Sequence, residues 1–127
     1  MAHGIGEYLG NAWLNALGNN TSFAVAQVYV KLHVGEPGAA GTANPATETT
    51  RKAVSFGVAS AGVLTSDDAV TWTNIAGSED ANHFTAWDSL TTGNFLFSGT
   101  ITANPYDAGD TYAIDAGNLT ASLTLAS

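Results

Sequence analysis

The chain has 127 residues, 45% of them apolar and only 11% charged, with three basic residues against eleven acidic ones and a formal net charge of −8. That length suits a single domain over 1–127, able to bury roughly two-thirds of its extended-chain surface. No basic cluster exists to displace counterions from a nucleic acid or to hold an anionic membrane, and the absence of cysteine excludes disulfides and thiolate metal sites.

The opening residues, MAHGIGEYLG, lack a basic region followed by an apolar run, so no secretory signal is expected there. No apolar run approaches the roughly 18 residues of a membrane span. Without a secretory route, the N-x-T patterns at Asn19 and Asn118 are expected to be chance occurrences. Ile5, Leu9, Ala12, Trp13, Ala16 and Leu17 recur with helical spacing. They predict a helix over 5–18 whose Leu9–Trp13–Leu17 face packs on a sheet or a partner. Gly18 and Asn19 are suited to close it.

From residue 24 onward the period changes to two, predicting a β-sandwich over 24–127. In AQVYVKLHV, Val28, Val30, Leu32 and Val34 point one way. Gln27, Tyr29, Lys31 and His33 form the opposite, polar face. Val54, Phe56 and Val58 alternate next, then Val70 with Trp72. Phe84 with Ala86, and Phe95, Phe97 and Ile101, make two strands joined through Asp88 and a turn at Gly93, which is free to take positive φ. Thr85 and Trp87 face outward or toward a second layer, and Gly99 permits a bulge or a close contact. TYAID, Thr111 to Asp115, is a shorter strand, and Leu119, Ala121, Leu123 and Leu125 give a last one. About seven to eight strands without helical crossovers predict a mainly β protein, an antiparallel β-sandwich or jelly roll with one N-terminal α-helix.

The loop over 35–52 breaks the pattern. It is rich in Gly, Pro, Ala and Thr and longer than joining two strands requires. Two readings stay open: a loop folded back on its own domain, or an arm held by a neighbouring subunit. The second makes Pro37, Asn44, Pro45, Arg51 and Lys52 the partner contacts, with Arg51 and Lys52 placed to meet acidic groups.

Site chemistry is thin. His3 lies in the terminal segment, and His33 sits on the polar face of a strand. His83 has Asp80 and Asp88 nearby, but Ser78 and Ser89 lack the Gly-x-Ser-x-Gly elbow of a nucleophile. The adjacent carboxylates Asp67 and Asp68 point apart. Asp107 and Asp110 lack the rest of a calcium loop and read as turn caps. No pair of carboxylates stands out for glycoside hydrolysis, and no phosphate loop is present. The expectation is therefore no catalytic residue, no metal and no cofactor.

Several segments nevertheless look familiar. EYLGNAWLNALGNNTSF, VYVKLHVGEPG, RKAVSFGVAS, the AW-D and TGN-LFSG ends of the hairpin, and DAGDTYAIDAGNLTASL together resemble a family of small phage virion proteins described as tail-fibre or minor capsid proteins. The Ala/Thr-rich stretch from Ala39 to Thr50 departs from that pattern. The resemblance implies a non-enzymatic structural protein that contacts the major capsid protein, other virion proteins or copies of itself. An acidic domain is repelled by packaged DNA, so a decoration protein on the outer capsid surface is the first expectation. A tail-fibre module recognising a host-surface glycan or protein is the alternative, with Trp72, Trp87 and Tyr106 as its candidate aromatics.

Overall fold

A computed structural model describes residues 3–126 as a mainly β fold with one N-terminal helix. The helix is α1 (Glu7–Gly18). The strands are β1 (Val28–His33), β2 (Lys52–Val54), β3 (Val63–Thr65), β4 (Val70–Trp72), β5 (His83–Trp87), β6 (Phe95–Thr100), β7 (Tyr112–Ile114) and β8 (Thr120–Ser122). All pairings are antiparallel. A four-stranded sheet in the order β2-β1-β5-β6 is accompanied by two ribbons, β3-β8 and β4-β7. The face of the sheet carrying Val30, Leu32, Phe84, Ala86 and Phe97 shares one buried cluster with Val70, Trp72, Ile114 and Leu119 from or beside the ribbons.

The central hairpin forms as its sequence predicts. Asp88 accepts hydrogen bonds from the Asn94 backbone N–H (2.7 Å) and from its Nδ2 (3.0 Å), closing the loop. Gly93 takes φ 86° there, a conformation that costs a glycine nothing. Gly99 packs closely on the Phe84 ring, while the register irregularity falls between Ala86 and Trp87. That irregularity pairs Trp87 with Phe95, which therefore lies half-buried in the second layer rather than in the core.

Several edges differ from expectation. The helix begins at Glu7, because Gly4 to Gly6 are already committed to β6. Ser98 N–H donates to Gly4 O (2.8 Å) and Gly6 N–H to Leu96 O (2.7 Å). A Cβ on Gly6 would lie 2.9 Å from Leu96 O, so only glycine permits this approach. Asn20, not Gly18, takes the left-handed conformation after the helix. Only Leu9 of the predicted face is buried; Leu17 is 85% exposed, because the helix runs on past the sheet it rests on. β2 and β8 are short, leaving Val58, Leu123 and Leu125 exposed.

The loop over 35–52 folds back on its own domain and covers the second face of the sheet. Val34 N–H donates to Asn44 O (2.9 Å) and Ala46 N–H to Leu32 O (3.1 Å), extending the pairing at the end of β1. His33 is consequently fully buried, not exposed on a polar face. Its Nδ1–H donates to Ala43 O (2.8 Å), which leaves Nε2 to accept from the Thr85 hydroxyl (2.9 Å). Thr85 Oγ1 in turn accepts from Trp87 Nε1–H (2.7 Å). Burial holds the His33 imidazole below its ordinary pKa, and the neutral ring fits this chain of donors and acceptors. Thr85→Val keeps the shape but removes the hydroxyl, leaving the Trp87 N–H and the His33 nitrogen unpaired. Each loss costs about 1–3 kcal/mol. Urea denaturation should show Thr85→Val clearly destabilised and Thr85→Ser much less so; equal stabilities would mean the chain of bonds contributes nothing.

Candidate interaction surface

The residues around α1 are uncharged without interruption from Tyr8 to Val30. The sequence explains the exposure that results. Leu9 alone reaches the core beside Leu96, and the following turns carry their apolar stripe beyond the sheet. Leu14 and Leu17 project into solvent, and Trp13 is 36% exposed. Trp13 borders an open groove of about 370 Å³ that also takes in Phe23, Val25, Leu96 and Leu123. Among the described residues, no charged side chain lines it. Leu123 and Leu125 continue the apolar surface on its far side. Contiguous apolar surface of this kind marks a contact site, because lone exposed leucines are common but a rimmed groove is not.

The sequence-predicted contact residues fare unequally. Pro37 is fully buried within the folded loop. Arg51 is engaged internally: its Nη1 donates to Ser89 O and Thr92 O, both at 2.7 Å, and its guanidinium carbon lies 4.2 Å from the centroid of the Trp87 ring. It pins the β5–β6 hairpin. Asn44 and Pro45 remain exposed and Lys52 half-exposed. Asn44 Nδ2 donates to Glu36 O (2.9 Å).

The aromatics that a glycan-binding module needs, Trp72, Trp87 and Tyr106, are all buried. Tyr106 approaches Glu79 (3.4 Å), and burial, with the Glu79 charge second, pushes its pKa up to about 12. Asp107 and Asp110 close a turn on each other: Asp107 N–H donates to Asp110 Oδ2 (2.9 Å) and Asp110 N–H to Asp107 O (3.0 Å). The partners of His83 are neither Asp80 nor Asp88 but Asn82 and Glu36. Among the described residues, no helix is long and apolar enough to cross a membrane.

The apolar surface was half-visible in the sequence. Periodicity found the stripe on α1, but nothing local said that the sheet would end beneath Leu9. A family model described as Podophage GP4 fiber I protein gp80 matches residues 4–122. No curated protein matches the chain.

Proposed function

The chain belongs to the podophage GP4 fiber I protein family, and on that premise we propose that it is a fibre subunit docked on other virion proteins through the apolar side of α1 and its groove. The observation that carries this reading is the uncharged surface of Trp13, Leu14 and Leu17 beside the groove on a chain of net charge −8. Elsewhere acidic side chains repel an acidic partner; here each leucine that a neighbour covers contributes about 1.5–3 kcal/mol. A fibre position suits the family description better than decoration of the capsid shell. An assembly role suits the buried aromatics better than recognition of a glycan.

The test is a Leu14→Lys/Leu17→Lys double variant. Lysine keeps helix propensity and suits the C-terminal half of a helix, so the free protein should melt almost as before, within about 0.5 kcal/mol per site. Its incorporation into particles should fall at least tenfold, equivalent to about 1.4 kcal/mol. Wild-type incorporation would remove α1 from the interface. Copy number per virion separates the locations, since a handful means tail and hundreds mean shell.

A further inference from the structure

Three side chains from distant parts of the chain converge outside this surface. His3 precedes α1, Glu36 lies in the loop after β1, and His83 opens β5. One ligand atom from each lies within 4.8 Å of the other two. His3 Nδ1 is 2.8 Å from Glu36 Oε2, and His83 Nε2 is 3.4 Å from Glu36 Oε1. The two imidazole rings are 5.5 Å apart, tilted by 59°.

The orientation of the His83 ring bears on what this cluster can hold. Its Nδ1 lies 2.6 Å from Asn82 Oδ1, an oxygen that only accepts, so Nδ1 carries the hydrogen. In the neutral ring Nε2 then presents a lone pair. That atom is buried and, among the described residues, has no hydrogen-bond partner, and it faces a carboxylate oxygen, a second lone pair. Two acceptors face each other across the cluster, which favours a cation between them. An imidazole whose far nitrogen is held by an oxygen acceptor is also the usual arrangement of a metal-bound histidine.

We infer that His3, Glu36 and His83 form a three-ligand site for a divalent transition-metal ion, zinc above all. Two imidazoles and one carboxylate match zinc and disfavour calcium and magnesium, which take oxygen ligands. Zinc bonds of about 2.0–2.2 Å place tetrahedral ligand atoms roughly 3.3 Å apart, comparable to the two histidine–carboxylate separations, and all three ligand atoms lie within 4.8 Å of one another. Glu36 and His3 are partly exposed, so the fourth position opens to water. Bound there, the ion ties the segment before α1 and the start of the loop to the edge of β5. The role is structural, and Asn82 is a positioning residue that acts through His83.

The experiment uses the full chain without a polyhistidine tag. Zinc is titrated calorimetrically, and cobalt(II) is titrated with visible absorbance as the readout of tetrahedral coordination. One ion per chain should bind and raise the melting temperature, reversed by chelator. Glu36→Gln, an exposed substitution that leaves the fold intact, should abolish binding, as should His83→Ala. Asn82→Ala should weaken it by about 10–100-fold. Calcium should not compete. No zinc uptake by the wild-type protein, or undiminished uptake by Glu36→Gln, overturns the assignment; so does displacement of zinc by calcium.

Discussion

Replacing residues 39–50 with a short Gly-Ser turn should destabilise the isolated protein by at least about 3 kcal/mol and should unfold it if the starting margin is at the low end of the usual 5–15. The loop is the roof of the sheet. Without it, His33 Nδ1–H loses Ala43 O, Trp72 Nε1–H loses Thr50 O, and the Ala76 N–H loses the Glu48 carboxylate. Leu32 O and the Val34 N–H lose their backbone partners as well. Of these, the groups on the buried residues His33, Trp72 and Leu32 cost about 1–3 kcal/mol each when left unpaired, so two or three suffice. Against this, a shorter loop returns only about 0.6 kcal/mol of closure entropy per halving of its length. The losses win. Equilibrium denaturation in urea measures the difference directly. A shortened protein of undiminished stability that fails to enter particles would restore the contact-arm reading of this segment.

The internal packing of this loop is not legible from its composition, and the cause is physical. The loop holds its place through backbone hydrogen bonds and small side chains such as Ala46, and neither leaves a periodic mark in a sequence. Residues whose order is local were legible: the alternation of β1, the β5–β6 hairpin, Asp88 as the start of its turn and the positive φ of Gly93. Residues whose order depends on distant chain were not. The helix starts late because β6 claims Gly4 and Gly6, and His33 is buried because residues ten positions on return to cover it. The cluster of His3, Glu36 and His83 shows the same limit, since ligands this far apart have no spacing to recognise. The apolar surface lies between these cases, with the stripe readable and its lack of cover not.

Trp72→Ala should cost about 3–5 kcal/mol, the range for deleting a large aromatic from a packed core. Trp72 is 1% exposed and sits opposite Tyr112 in the β4–β7 ribbon, with ring centroids 6.2 Å apart. Tyr112 packs in turn on Tyr106 at 5.0 Å. The indole N–H reaches Thr50 O at 2.9 Å, fastening the end of the loop to the ribbon. Volume and hydrogen bond separate in Trp72→Phe, which keeps most of the apolar ring and loses the N–H. That variant should cost only about 1–2 kcal/mol. The pair also discriminates between a core residue and a ligand-contacting one. If Trp72 works by packing, Trp72→Phe stays folded and enters particles at wild-type levels, while Trp72→Ala fails in proportion to its lost stability. If it touched a ligand, Trp72→Phe would lose binding at nearly full stability. Denaturant midpoints measured beside virion incorporation decide between them, and a Trp72→Ala protein within 1 kcal/mol of wild type would mean that the ribbon is not packed on the core at all.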